Sequence, residues 1–312
     1  MLKIFSTLIG GVGVFVFSVY LINKSMSEEL LNKTDKLIKF TNTPFKALLV
    51  GLFSSALTQS SSAINGIAVQ LADKNLLTKN NRYYLVMGTN VGTTITAYLA
   101  VLGYIDASTF FLILMPIAAI ILAVSKNEQV VRRAFFVCSF LMIFIGINVI
   151  SDSVPKIISK IDITPFTDGN KLKLLFLSTL VTAVCQSSSV ISLIIVMLGH
   201  SGAVSIDNAV FLIMGANIGT CATAFLAAIG KSKKGKEVAV FNLLFNIGGV
   251  AAFSFAYATG LLNGFINLSV STDTKIALFH TLFNVVSIIF VIPFTVEHKG
   301  KKSKIKPTSQ VG

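Results

Sequence analysis

Long apolar stretches, separated by short polar connections, make up most of the chain. Seven of these stretches approach or exceed the roughly 20 residues that a helix needs to cross the hydrocarbon core of a bilayer. They cover residues 2–22, 82–103, 107–125, 130–150, 207–229, 237–260 and 275–296. The pattern predicts an all-α polytopic membrane protein with about seven transmembrane helices.

Composition supports this prediction and excludes other classes. Of the 312 residues, 54% are hydrophobic and 12% are charged, and the mean hydropathy is +0.80. The net charge of +13 comes from basic residues in the connections between apolar stretches, which indicates membrane topology rather than nucleic-acid binding. An odd number of cysteines argues against a disulfide framework or a zinc site. We expect Cys138, Cys185 and Cys221 to be small buried residues.

An internal duplication relates the two halves of the chain. When residues 58–103 are aligned without gaps to residues 185–230, an offset of 127, 20 of the 46 positions are identical. Two blocks match in order and spacing: Gln-Ser-Ser-Ser at 59–62 and 186–189, and Gly-x-Asn-x-Gly-Thr at 88–93 and 215–220. The same offset carries 2–22 onto 129–149 and 107–125 onto 234–252. The last apolar stretch has no partner in this alignment.

The serine blocks predict breaks in membrane helices. The apolar segments on either side of each block are too short to cross a bilayer alone, which leaves a broken crossing helix or a re-entrant hairpin. Basic residues flank the first block on both sides, so the positive-inside rule favours a hairpin with two cytoplasmic ends. They are Lys24, Lys33, Lys36, Lys39, Lys46, Lys74, Lys79 and Arg82. We extend the hairpin prediction to the second block, where the flanking charges are mixed.

This topology gives an outside N-terminus, a cytoplasmic C-terminus and two repeats of opposite orientation. The predicted units are a first repeat at 1–128, a second inverted repeat at 129–260, an extra span at 261–297 and a basic cytoplasmic tail at 298–312. Inverted repeats with broken helices are the architecture in which secondary transporters build a site near the bilayer midplane.

The serine blocks also predict an oxyanion site. Each block lies where a returning half-helix begins, so hydroxyl groups, free backbone N–H groups and the positive end of the helix dipole face one point. Two such blocks could surround a tetrahedral anion, and phosphate and sulfate both fit. The candidate anion ligands are Ser60, Ser61, Ser62, Ser187, Ser188 and Ser189.

Neutral oxygen atoms near the serines predict a site for a small alkali cation. Amide and hydroxyl oxygens suit sodium better than transition metals, and we expect no other metal and no organic cofactor. The candidate sodium ligands are Gln59, Asn90, Thr93, Gln186, Asn217 and Thr220. The alternative is that the serine and glycine blocks only allow helices to pack closely.

A second polar pattern appears late in the chain. Phe-Asn-Leu-Leu-Phe-Asn at 241–246 and Phe-His-Thr-Leu-Phe-Asn at 279–284 each place two polar residues at i and i+4 on one helix face. These two helices either line a path or bond to each other, and His280 could carry protons. His200 falls in a predicted loop and is given no role.

The paired serine blocks, the glycine blocks that follow them and Phe-His-Thr-Leu-Phe-Asn resemble the type II sodium/phosphate cotransporter family over about 45–295. The resemblance is to a bacterial short form without a PhoU-like domain. It implies sodium-driven symport of inorganic phosphate, with substrate at the two serine hairpins and sodium on neighbouring residues. The short loops and the lack of tryptophan favour the bacterial inner membrane as the location. The expected partners are phosphate, sodium and lipids, with no nucleic acid, and a homodimer is one possible assembly.

Other functions remain compatible with these residues. One is export of phosphate or transport of another oxyanion such as sulfate. Another is an intramembrane hydrolase, but its chemistry needs one serine near one base, which triplicated serines in both repeats fit poorly. A third is a phosphate-sensing receptor, and an inverted duplication favours a transporter over it. We therefore expect a transporter rather than an enzyme.

Overall fold

The computed structural model describes residues 2–32, 38, 40–102, 108–167 and 169–295. Lys33, Lys36, Lys39 and the predicted tail at 298–312 lie outside this part of the chain. The described residues form helices that we number α1 to α14 in chain order. They are Leu2–Asn32, Pro44–Thr58, Ser61–Asp73, Lys79–Thr93, Ile95–Leu102, Ser108–Val124, Glu128–Ile158, Thr164–Thr167, Lys171–Cys185, Ser188–His200, Ile206–Ala228, Lys233–Ala258, Asn263–Ile266 and Thr272–Thr295.

Six helical segments of the described chain are long and apolar enough to cross a membrane. They are Leu2–Lys24, Lys79–Leu102, Glu128–Ile158, Ile206–Ala228, Lys233–Ala258 and Thr272–Pro293. The prediction of an all-α polytopic membrane protein is confirmed. The seventh predicted span, at 107–125, is a helix of 17 described residues. At 1.5 Å per residue it is about 26 Å long, shorter than the hydrocarbon core.

Helix bounds in the two halves follow the offset seen in the sequence. α2 (44–58) corresponds to α9 (171–185), and α3 (61–73) corresponds to α10 (188–200), with both ends of each pair exactly 127 residues apart. α4 and α11 also begin 127 residues apart, and their caps, Thr78 and Ser205, each accept a bond from the backbone N–H three residues later. The duplication therefore extends from residue identity to helix boundaries and caps.

Glycines let α2 pack against α4, and α9 against α11, with their backbones in contact. A Cβ on Gly88 would lie within 3.0 Å of the Leu48 carbonyl oxygen, and one on Gly92 would meet that of Leu52. Gly215 and Gly219 approach the backbone of α9 in the same way. Close packing by small residues is thus the role of the glycines in the Gly-x-Asn-x-Gly blocks.

These contacts also fix the direction of the helices. Position 48 faces 88 and position 52 faces 92, so α2 and α4 run in the same direction. Their starts are joined by Asn81, whose Nδ2 donates to the Thr41 carbonyl oxygen at 2.5 Å. Because a short connection links the end of α3 to the start of α4, the α2–α3 pair leaves and returns at the same end of α4. A re-entrant hairpin requires this geometry; its depth in the membrane stays a prediction.

The outer ends of the two helix pairs are tethered to different helices. At the end of α3, Asp73 Oδ1 accepts a hydrogen bond from the Ser232 N–H at 2.7 Å, just before α12. This bond, with Lys231 nearby, lowers the pKa of the Asp73 carboxyl group below its ordinary value. At the end of α10, His200 Nδ1 lies 2.8 Å from Asp273 Oδ2, at the start of α14. The predicted loop position of His200 is therefore wrong, because it is the last residue of α10.

α12 and α14 run antiparallel to each other. Gly249 packs on Phe283 and Ser287, whereas Phe253, one turn further along α12, packs on Phe279 at 5.5 Å between ring centroids. Since the α2–α3 pair is tethered at the start of α12 and the α9–α10 pair at the start of α14, their outer ends lie at opposite ends of the α12–α14 pair.

The cysteines correct one prediction. Cys221 is buried and Cys138 is half-buried, but Cys185 is exposed. Cys185 is the last residue of α9, a helix that packs on α11 through one face and leaves another face uncovered, as the exposed Leu180 and Val184 show. The apolar segments predict interior positions for all three cysteines, but a residue of an apolar membrane helix need not lie in the protein interior.

Candidate functional site

Each serine block forms a sharp break between two helices. We call residues 59–62 tip 1 and residues 186–189 tip 2. Gln59 and Gln186 adopt the left-handed conformation, with φ of 54° and 55°. Ser60 and Ser187 then cap the next helix, each accepting from the backbone N–H three residues later at 3.2 Å and 3.4 Å. Glycine is the usual residue at a left-handed helix end. A glutamine costs roughly 1–2 kcal/mol there, so its presence in both tips indicates that the side chain is used.

The two tips contact each other through a reciprocal pair of hydrogen bonds. Ser62 Oγ donates to the Gln186 carbonyl oxygen at 3.2 Å. Ser189 Oγ donates to the Gln59 carbonyl oxygen at 3.1 Å. Ser62 and Ser189 are equivalent in the two halves, and so are Gln59 and Gln186, so each half supplies one donor and one acceptor. The N-termini of α3 and α10 are therefore brought together from different halves of the chain.

The middle serines begin a buried polar row on each half-helix. Ser61 and Ser188 are each 4% exposed and are the first residues of α3 and α10. One turn further along lie Asn65 and Ser192, both fully buried. The Asn65 amide atoms and the Ser192 hydroxyl have no hydrogen-bond partner in the protein. Sequence reasoning missed this second pair, although two polar residues 127 apart in apolar half-helices were a signal.

The surroundings of the two glutamines differ. Gln59 is 2% exposed, and its Oε1 accepts a hydrogen bond from Thr96 Oγ1 at 2.7 Å. Its Nε2 donates to the Ala56 carbonyl oxygen. Gln186, by contrast, is exposed. Thr96 was also absent from the predicted site, and the signal for it was the repeated spacing of threonines at 93 and 96 and at 220 and 223.

The other predicted sodium ligands make their hydrogen bonds within helix interfaces. Asn90 Nδ2 donates to Asn242 Oδ1 at 3.0 Å, and Asn284 Nδ2 donates to Asn217 Oδ1 at 3.4 Å. The late polar pattern therefore bonds to the glycine-block helices α4 and α11. Among the described residues no hydrogen bond joins its two polar pairs directly. Such a bond was one of the two alternatives, because sequence alone does not show which helices are neighbours.

The two threonines of the predicted sodium set are buried within the same interfaces. Thr93 Oγ1 lies 3.2 Å from Ser55 Oγ on α2, and Thr220 Oγ1 donates to the carbonyl oxygen of Ala216 in its own helix. In the part of the chain that the structure describes, neither threonine is hydrogen-bonded to a tip. The predicted sodium ligands thus fall into a pair of glutamines at the tips and four residues in the helix interfaces.

His280 lies one turn before Asn284 on α14. It is fully buried, and neither ring nitrogen has a hydrogen-bond partner among the described residues. The tip serines bond to backbone groups and to Thr96, and none bonds to a histidine or lysine in the described part of the chain. The serine-base pair that a hydrolase needs is therefore not formed by these residues.

Several known proteins are similar to this chain in sequence. The uncharacterized protein YqeW of Bacillus subtilis is 26% identical over 284 residues, which is 90% of this chain and 91% of YqeW. The Salmonella typhimurium protein named "Putative inorganic phosphate export protein YjbB" is 24% identical over 261 residues, 80% of this chain and 46% of YjbB. This chain thus spans about half the length of YjbB. Sodium-dependent phosphate transport protein 2A of Ovis aries is 34% identical over 121 residues, 36% of this chain and 19% of that protein.

No solved structure matches the chain. The sequence model of one protein family, described as Na+/Pi-cotransporter, matches residues 14–152 and 162–291. These two segments include both serine tips, both glycine blocks and most of the six membrane-crossing helices. The chain therefore belongs to the Na+/Pi-cotransporter family.

Proposed function

We propose that this protein carries inorganic phosphate across the bacterial plasma membrane together with sodium, and that phosphate binds where the two tips meet. The observation that carries the proposal is the reciprocal pair of bonds from Ser62 to Gln186 and from Ser189 to Gln59. It joins two helix N-termini that are far apart in sequence. Membership in a family of phosphate transporters supports the choice of substrate.

The tips offer an anion what it needs without a fixed positive charge. The first turn of a helix has N–H groups without intrahelical acceptors, and the helix dipole makes this end positive. Two such ends, from α3 and α10, meet here beside serine hydroxyls. Anions bind at helix N-termini in this way, and secondary transporters use broken helices for it. A site without lysine or arginine also holds its anion loosely enough to release it.

The buried polar rows extend the proposed site. An unpartnered amide or hydroxyl group in an apolar interior costs on the order of 1–3 kcal/mol in proteins. Asn65 and Ser192 carry this cost at equivalent positions, one turn below Ser61 and Ser188. A ligand that contacts these side chains would offset it, and we assign them to the walls of the phosphate or sodium site.

For sodium we propose the two glutamines as primary ligands. Their carbonyl and amide oxygens are hard neutral donors of the kind that alkali cations prefer. In secondary transporters, carbonyl groups freed at broken helices coordinate the coupling ion. Asn90 and Asn217, with their neighbouring threonines, are the proposed second set, buried one helix away.

The two-sided arrangement supports transport over reception. The outer ends of the α2–α3 and α9–α10 pairs lie at opposite ends of the α12–α14 pair, while their tips meet between them. A site built from two equivalent halves of opposite orientation can open to either side in turn. A receptor has no need of two exchangeable halves.

Four single substitutions test the site. Ser61→Ala and Ser188→Ala should raise the KM for phosphate, and Gln59→Ala and Gln186→Ala should weaken the dependence of uptake on sodium. The matched control is Ser139→Ala, because Ser139 is buried in α7 and its hydroxyl bonds only to the backbone of its own helix. Kinetics equal to the wild type in all four variants would remove the tips from the proposal.

The direction of transport is a separate matter. The printed name of YjbB refers to phosphate export. A symporter runs in either direction according to the gradients imposed, so export and import are two uses of the same proposed site. Preloaded liposomes with sodium inside should release phosphate, and sulfate as competitor should reveal whether the site accepts other tetrahedral anions.

A further inference from the structure

The two tips are equivalent in sequence but not in their surroundings. Thr58 and Gln59 are 1% and 2% exposed. At the equivalent positions of the second half, Cys185 and Gln186 are both exposed. Gln59 at tip 1 is therefore covered and Gln186 at tip 2 is exposed, although Ser188 and Ser189 of tip 2 are buried. We call a tip open when its glutamine is exposed.

Thr96 covers tip 1. Its hydroxyl donates to Gln59 Oε1 at 2.7 Å and lies 3.2 Å from Ser189 Oγ. Ser189 in turn donates to the Gln59 carbonyl oxygen. Thr96 is fully buried, so this hydroxyl holds the glutamine side chain against the opposite tip in a site closed to solvent.

The equivalent threonine in the other half is turned away. Thr223 lies 127 residues after Thr96, and its hydroxyl donates to the Thr220 carbonyl oxygen in its own helix at 2.8 Å. Thr223 is only half-buried, and Gln186, the equivalent of Gln59, is exposed. The same residue type at the same position thus makes a bond to the tip in one half and a bond within its helix in the other.

A helix break accompanies the difference. In the first half the helix is interrupted at Thr94, between α4 and α5. Thr94 Oγ1 donates to the Val91 carbonyl oxygen and accepts from Thr281 on α14. In the second half, α11 runs without interruption through the equivalent residue, Cys221. The break comes two residues before Thr96, and the equivalent residue of Thr223's helix has no such break.

We infer that Thr96 and Thr223 are positioning residues that hold the two tip glutamines in turn, Thr96 in the state seen here and Thr223 in the oppositely open state. In that second state Thr223 donates to Gln186 and covers tip 2, while Thr96 returns to a bond within its own helix and tip 1 opens. The inference rests on the proposed transport function and names the residues that exchange the two states.

The test uses Cys185 as a native reporter of whether tip 2 is open. Thr96→Val keeps the shape of the side chain but leaves Gln59 Oε1 without its buried donor, which disfavours the present state. Thr223→Val disfavours the opposite state and breaks only a bond within one helix. Thr96→Ser and Thr223→Ser keep the hydroxyl and are the matched controls.

The full-length variants are placed in liposomes with a water-soluble maleimide on both sides, and the labelling rate at Cys185 is read from its peptide by mass spectrometry. Thr96→Val should slow labelling and Thr223→Val should speed it, by up to about fivefold each for one hydrogen bond. The serine variants should match the wild type. Sodium-driven phosphate uptake is measured in the same liposomes.

The outcomes separate this inference from the proposed function. If wild-type protein transports phosphate but the two valine variants label like the wild type, or change in the same direction, the inference is wrong and the function stands. An unreactive wild-type Cys185 also overturns it, because tip 2 is then closed to water. If labelling shifts in opposite directions but wild-type protein does not carry phosphate, the exchange stands and the proposed substrate is wrong.

Discussion

Removing each of the two tip-to-tip donors should have unequal effects on phosphate binding. Ser189→Ala removes a bond to the carbonyl oxygen of Gln59, which is 2% exposed. Ser62→Ala removes the equivalent bond to Gln186, which is exposed. The two substitutions are identical in chemistry and equivalent in sequence. A difference between them therefore reports the asymmetry of the two tips.

The size of each effect follows from what replaces the lost bond. A buried acceptor left without a partner costs about 1–3 kcal/mol, whereas a bond that water can replace contributes about 0.5–1 kcal/mol. At 1.4 kcal/mol per factor of ten, Ser189→Ala should weaken phosphate binding about 5- to 150-fold, and Ser62→Ala about two- to fivefold. The loss appears in binding because phosphate must then bring the tips together itself.

The assay is the KM for phosphate uptake into liposomes at saturating sodium, with equilibrium binding of labelled phosphate as a check. Ser139→Ala serves as the control for removing a buried hydroxyl in a membrane helix. An effect of Ser62→Ala equal to or greater than that of Ser189→Ala would refute the reasoning, because the tips would then share one environment.

Three further outcomes are expected. Gly88→Ala should destabilise the protein by about 3 kcal/mol or more, because its Cβ would overlap the Leu48 carbonyl oxygen. Gly248→Ala is the control, because a Cβ there has open space around it. The melting temperature in detergent measures both. Asn65→Leu should leave that melting temperature equal or higher yet reduce uptake, and normal uptake would show that Asn65 holds no ligand. Asn90→Leu should weaken sodium activation if Asn90 is a ligand, and an unchanged sodium dependence would limit it to helix packing.

Much of the fold was predictable because the signals are local. Apolar length located six of the membrane-crossing helices, and the offset of 127 located the equivalent breaks at Gln59 and Gln186. The serine caps follow from the same blocks, but the left-handed turn at Gln59 and Gln186 does not, because glycine is the usual residue there. What sequence could not give is which helices are neighbours. That is why a direct bond between α12 and α14 was one alternative, whereas Asn242 bonds to Asn90 on α4.

The candidate site was predictable only where the chemistry is repeated in an obvious block. The six serines and two glutamines were found because four consecutive residues recur. Thr96, Asn65 and Ser192 were missed because each is a single polar residue in an apolar helix, and its importance depends on burial and partners. The difference between the two tips could not be read from the tip residues, since the same four residues occupy both and the differences lie in their surroundings.

The central claim is sodium-coupled transport of phosphate, and gradient-driven uptake tests it most directly. Purified protein in liposomes is given radiolabelled phosphate while sodium, potassium or proton gradients are imposed in turn. Phosphate should accumulate with the sodium gradient alone, and accumulation should fall in Ser61→Ala and Ser188→Ala but not in Ser139→Ala. Accumulation that is independent of the sodium gradient, or absent under all three gradients, would contradict the central claim.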